Sequence, residues 1–239
     1  MQQPDILNLI IVATLAGLAM PAGALLSRVK GLHPKWLEQE VRHGILALGA
    51  GALISAVALV LVPEGIKDVS VFMACCCFVG GALAFMTLDI YLAKKKTAGS
   101  QLAAMLSDFV PESVALGTTA ALGGGTMLLG VLIAVQNLPE GFNAYREMTP
   151  TNKNRSTKLI WIFVLMSLLG PIMSAIGFYY LAGFPVVMSG IMLFAAGGIL
   201  YSVFQDIAPG IRMEKHWLPP LGAIFGFLVG LVGAMLEAG

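Results

Sequence analysis

Apolar runs of about twenty residues, separated by short polar stretches, dominate this chain of 239 residues. A helix needs about 20 largely apolar residues to cross the roughly 30 Å hydrocarbon core of a bilayer. Inside that core only helices and closed barrels satisfy their own backbone hydrogen bonds. Eight runs can be drawn, at about 5–27, 43–66, 71–93, 101–122, 125–147, 159–182, 185–210 and 217–237. The expected fold is an all-α membrane protein, a single transmembrane domain over residues 1–239 with eight helices and almost nothing left for a soluble domain. With 58% hydrophobic and 11% charged residues, the composition agrees. The first run lacks a basic segment before it and a clear small-residue cleavage site after it, so it reads as a span rather than a signal peptide.

Eight spans sort the charge. Arg28, Lys30, Lys35 and Arg42 fall in the first loop, Lys94, Lys95 and Lys96 in the third, Arg146, Lys153, Arg155 and Lys158 in the fifth, Arg212 and Lys215 in the seventh. Only Lys67 stands opposite. The positive-inside rule then puts both termini outside and the basic loops in the cytosol of a multi-pass cell (inner) membrane protein.

Two spans carry the same acidic cassette: Asp108-Phe109-Val110-Pro111-Glu112 and, twenty-eight residues later, Gln136-Asn137-Leu138-Pro139-Glu140. On a helix, i and i+4 share a face, so Asp108 stacks with Glu112 and Gln136 with Glu140. Pro111 and Pro139 cannot donate to the carbonyls of Ser107 and Val135, which frees an oxygen beside each polar pair. A charge at the bilayer centre costs about 2.5–3.5 kcal/mol even on the lenient insertion scale. No span centre holds Lys or Arg to offset three carboxylates. Protons or a metal ion must do so, and an oxygen-rich cage of Asp108, Glu112, Gln136, Glu140 and Asn137 suits a divalent cation. Acids that are merely protonated and pin the fold are the bland alternative.

Internal matches point the same way. Gly51-Ala-Leu-Ile-Ser-Ala-Val leads to Pro63, and Gly197-Gly-Ile-Leu-Tyr-Ser-Val leads to Pro209, with the same twelve-residue spacing. Inverted repeats around a midplane site are typical of secondary transporters.

These residues resemble the ZIP (Zrt/Irt-like) divalent metal transporters. The fourth and fifth helices of that family carry His-Asn-x-Pro-Glu-Gly and a similar His/Gln-Asp/Glu-x-Pro-Glu-Gly motif. The resemblance covers the whole chain and implies a divergent, prokaryotic-type member: a 3+2+3 inverted-repeat bundle that is not an enzyme. It implies metal import by elevator-type alternating access around Asp108, Glu112, Gln136 and Glu140. Asp108 stands where the family has histidine, and Phe109 where asparagine helps form a second metal site. The sixth span has no acid, leaving Ser167 and Ser174 as the nearest substitutes, so one site rather than two is expected. Replacing histidine by Asp108 hardens the site, which should shift preference from zinc toward manganese or ferrous iron, or broaden it, though carboxylates also bind zinc well; cadmium is a further expected transported substrate.

Weaker expectations attach to other residues. Glu64 and Asp68 suit an extracellular funnel or a solvated helix end. Asp89, Gln205, Asp206, Glu214 and His216 suit an exit path or ordinary capping, and His33 and His43 an interfacial position. Cys75, Cys76 and Cys77 suit small apolar packing. Gly222, Gly226, Gly230 and Gly233 form a smooth stripe for packing inside the bundle or for a homodimer. Beyond metal ions and the bilayer no partner is expected, and no nucleic acid. The alternatives to a transporter are a transport-impaired relative acting as metal sensor or scaffold, and an aspartyl hydrolase using Asp108 and Asp206.

Overall fold

The computed structural model describes residues 6–28, 35–94, 98–123, 126–149, 153–211, 217 and 219–238, except for the side chains at 35–39, 98–101, 153–156 and 238. Its elements are helical, and no strand occurs among the described residues. In chain order they are α1 (Ile6–Leu26), α2 (Lys35–Ala56, continuing through a π turn at Val57–Leu61 and Val62–Gly65) and α3 (Val71–Ala93). Then follow α4 (Ala98–Ala121) and α5 (Thr126–Met148). Next, α6 comprises Lys153–Ser167, Leu169–Ile176 and a π turn at Gly177–Leu181. Finally, α7 comprises Pro185–Ser202, a π turn at Val203–Ile207 and Ala208–Ile211, and α8 is Leu221–Ala238.

Five helices among the described residues are long and apolar enough to cross a membrane: Ile6–Leu26, Glu40–Gly65, Val71–Ala93, Thr157–Leu181 and Pro185–Ile211. The expectation was eight. The helices α4 and α5 are as long, but their polar cassettes lower their apolarity. In α8 the apolar stretch, Leu221–Glu237, is shorter. The exterior is apolar too, with Val71 82% and Phe72 80% exposed. A soluble protein does not show contiguous apolar surface on this scale; lipid accommodates it. These features mark a membrane protein.

Helix ends differ most from expectation at α2 and α6, which begin well before their apolar runs. Lys, Glu, Gln and Arg are good helix formers, so the helix outruns its hydrophobic part, and Lys35 and Arg42 belong to α2 rather than to a loop. At the start of α3, the Ser70 hydroxyl accepts from Met73 N and caps the first turn.

Helices pair through glycine. A Cβ on Gly141 would stand 2.0 Å from the Met20 carbonyl oxygen, and one on Gly23 2.0 Å from that of Leu138, so α1 and α5 touch backbone to backbone. The same holds for α4 and α6 at Gly117 against Ser174 and Gly177 against Val114. In α2 and α8, Gly51 meets Ala223 and Gly226 meets Leu48; in α3 and α7, Gly81 meets Phe194 and Gly197 meets Phe78. These contacts, with Gly17 of α1 against Ser167 of α6, join α1, α4, α5 and α6 into one group and leave two pairs, α2 with α8 and α3 with α7. Elsewhere glycine meets side chains: Gly49 of α2 the Pro139 ring, Gly65 of α2 the Leu193 side chain, and Gly233 of α8 the Leu128 side chain.

The stripe on α8 lies inside the bundle, with Gly222 against Gly44, Gly226 against Leu48 and Gly230 against Ser55. That face is occupied, so it cannot serve a dimer. Cys75 and Cys76 face outward, and Cys77 is half-buried near Gly190. Packing therefore holds for one cysteine of three, because consecutive helical positions point in three directions.

Two of the π turns fall at matching places in the matched sequences, just before Val62-Pro63 and before Ala208-Pro209. Proline clashes with the carbonyl four residues back, and a widened turn relieves that clash. Before its π turn α2 packs on α8, and after it on α7; α7 packs on α3 before its turn, and on α2 after it.

Candidate functional site

The cassettes meet where α4 and α5 cross. Gln136 Nε2 donates to Glu112 Oε2, joining the two helices inside the bundle. Glu112 is completely buried, and Asp108 and Gln136 are nearly so. The pairs Gly117/Ser174 with Gly141/Met20 and Val114/Gly177 with Leu138/Gly23 set the correspondence between α4 and α5. In that packing Glu112 and Gln136 occupy equivalent positions. The sequence cassettes align Asp108 with Gln136 instead, so their structural match is displaced by one turn.

Four buried side-chain polar atoms among the described residues have no hydrogen-bond partner: Asp108 Oδ1, Glu112 Oε1, Gln136 Oε1 and Thr119 Oγ1. All lie on α4 and α5. An unpaired buried oxygen costs about 1–3 kcal/mol, so three at one crossing form an acceptor-rich site suited to a cation. Asp108, Glu112 and Glu140 are close enough for their charges to act on one another. Among the described residues, however, no three Asp, Glu, His or Cys side chains stand together closely enough to hold a metal ion. The Gln136 amide oxygen, also unpaired, is a further acceptor at the crossing.

Asn137 turns elsewhere. Its Nδ2 donates to the Ala16 carbonyl at 2.9 Å, tying α5 to α1. Phe109, buried, lies over Gly170 of α6, where an added Cβ would come within 2.8 Å of Cζ. The serines of α6 hydrogen-bond to backbone: Ser174 Oγ to Ser113 O at 2.8 Å, Ser167 Oγ to Val164 O at 2.7 Å. The first ties α6 to α4, and the second stays within α6.

A cavity of about 520 Å³ runs from Asp108 and Glu140 to Ala93 and Glu147 at one end of the bundle. Asp89, Gln205 and Asp206 also line it, so three residues expected on an exit path share one aqueous-sized space with the cassettes. Tyr201 OH donates to Asp89 Oδ2 at 3.3 Å. Glu214, His216 and His33 lie outside the described residues. Asn143 and Glu147, also in the lining, were not singled out from sequence. Their signal was present: Gln136, Glu140, Asn143 and Glu147 follow i, i+4, i+7 and i+11, one polar stripe on α5.

Each end of the bundle carries an ion pair. Arg42 lies 3.7 Å from Glu147 at the cavity end, with its Nε donating to Asn143 Oδ1 at 3.4 Å. At the opposite end Lys67 pairs with Glu64 at 2.6 Å, so Glu64 is partly neutralised where a funnel was expected. Also at that end Leu128 N donates to Glu237 Oε1 at 2.9 Å, joining the start of α5 to the end of α8. No protein-family model matches the chain, and no curated protein matches it.

Proposed function

We propose that this chain is a divalent metal ion transporter of the ZIP type, carrying zinc or cadmium, and by its oxygen-only donor set also ferrous iron or manganese, into the cytoplasm. The observation that carries this reading is the set of unpaired buried oxygens on Asp108, Glu112 and Gln136 at the head of an acidic cavity. Burying three uncompensated acceptors in a membrane protein is costly, and a cation passing through offsets that cost. Asp108 and Glu140, which line the cavity, exchange the ion with it; Glu112 and Gln136 hold it from behind. Asn137 positions α5 against α1.

In this reading all eight helices cross the membrane, α4 and α5 being admitted because their polar faces are turned inward. Both termini lie outside, and the cavity opens to the cytosol, because the basic residues gather at its end. The packing of α1 with α5 corresponds to that of α6 with α4, and α2 with α8 to α7 with α3, which is what an inverted repeat produces. The glycine-linked group of α1, α4, α5 and α6, which carries the cassettes, is the moving body of the elevator that the ZIP resemblance implies.

The test is uptake into proteoliposomes. The parent is expected to import Zn²⁺ and to accept Mn²⁺, Fe²⁺ or Cd²⁺ in competition, and E112A/E140A is expected to be inactive. Transport by that double variant at the parent rate would end the metal-site reading. A folded parent that binds metal but imports none would favour a sensor.

A further inference from the structure

Of the four unpaired buried oxygens, three belong to the cassettes and one does not. Thr119 lies on α4, is 6% exposed, and its Oγ1 has no partner. A helical threonine ordinarily donates its hydroxyl to the carbonyl one turn back. Thr14 does so to Ile10 O at 2.6 Å and Thr118 to Val114 O at 3.0 Å. Thr118 also reaches Met188 Sδ at 3.2 Å, which fixes its side chain toward α7. Thr119, one residue on, makes neither kind of contact.

Its position on the helix is informative. At about 100° per residue, Asp108, Glu112 and Thr119 fall within an arc of about 40°. Thr119 is about 10 Å beyond Glu112, at 1.5 Å per residue. That direction leads away from the cavity, toward the end that carries Glu64 and Glu237. One face of α4 thus presents unpaired oxygens on both the cavity side and the closed side of the cassette.

We propose that the Thr119 hydroxyl is a station on the cation's route on the side of the site remote from the cavity, reached before the ion meets Glu112. A divalent ion sheds water only as protein oxygens replace it. A neutral hydroxyl accepts a hydrogen bond from a bound water or touches the ion directly, and it does not trap the ion as a fourth carboxylate would. This inference rests on the cation-transport reading.

The experiment measures Zn²⁺ uptake into proteoliposomes as a function of external Zn²⁺ for the parent, Thr119→Val, Thr119→Ala and Thr119→Ser, with thermal unfolding of each. Valine keeps the shape and removes the unpaired hydroxyl, so Thr119→Val is expected to unfold no earlier than the parent. Its KM is expected to rise about fivefold, the scale of one lost polar contact, with Vmax within about twofold. Thr119→Ala should show the same rise in KM, and Thr119→Ser should restore the parent value. Parent-like KM in both Thr119→Val and Thr119→Ala, with E112A/E140A inactive, would overturn this inference and leave the transport reading standing. No uptake by the parent would overturn both.

Discussion

The hydrogen bond from Gln136 to Glu112 joins two helices with its acceptor wholly buried, and its removal can be followed through a double-mutant cycle. Gln136→Leu keeps bulk but leaves Glu112 without its donor. Leaving a buried acceptor without its donor costs about 1–3 kcal/mol, so a loss near 2 kcal/mol is expected. For a chain of this size each kcal/mol moves Tm by about 2–4 °C, giving about 4–8 °C. Glu112→Leu alone strands the Gln136 amide and costs a similar amount. Replacing both partners by apolar side chains is close to neutral, so Glu112→Leu with Gln136→Leu should be more stable than the two single costs imply. Two single costs of about 2 kcal/mol and a double cost near zero give a coupling of about 4 kcal/mol, just above the roughly 0.5–3 kcal/mol usual for contacting pairs. Thermal unfolding of all four proteins in one detergent, without added metal, measures it. Additive costs, with coupling below about 0.5 kcal/mol, would refute the view that these side chains depend on one another.

Adjacent glycines in α3 offer a sharper contrast. A Cβ on Gly81 would sit 1.9 Å from the Phe194 carbonyl oxygen, whereas one on Gly80 meets nothing within 4 Å. Gly81→Ala should force α3 from α7 and cost at least about 2 kcal/mol, while Gly80→Ala should stabilise by up to about 1 kcal/mol through helix propensity; thermal unfolding compares them directly. Neutralising the cavity lining with Asp89→Asn and Asp206→Asn should slow uptake, and more at low ionic strength than at about 0.15 M, because focused fields are screened by salt. Arg42→Ala removes a pair whose side chains are 37% and 51% exposed. It should therefore lower stability by less than about 1 kcal/mol, read as a Tm change of a few degrees at most.

Hydropathy and length located the helices closely because both depend on local composition. The boundaries slipped where polar helix formers prolonged α2 and α6 beyond their apolar runs. The cassettes were legible from their spacing, since i and i+4 guarantee a shared face within one helix. Contacts between helices were not, because they depend on crossing geometry. The hydrogen bond from Gln136 to Glu112 rather than to Glu140, the turn of Asn137 toward Ala16, and the bond from Ser174 to Ser113 all follow from packing. The smooth stripe on α8 announced close approach, but only the fold shows that α2 fills it. Asn143 and Glu147 were within reach of a longer periodicity count.

The π turns in α2 and α7 have a consequence for register. Each holds one more residue than an α turn would, so a helical wheel drawn through residues 57–61 or 203–207 loses phase. Positions that share a face before the turn do not share it afterwards, which is how Gly51 addresses Ala223 while Gly65 addresses Leu193. Deleting a single residue from either turn would make the helix more regular and the protein less so, swinging everything beyond it by about 100°. Numbering along these two helices is therefore not interchangeable with angle, and a single-residue deletion there is a rotation as well as a shortening.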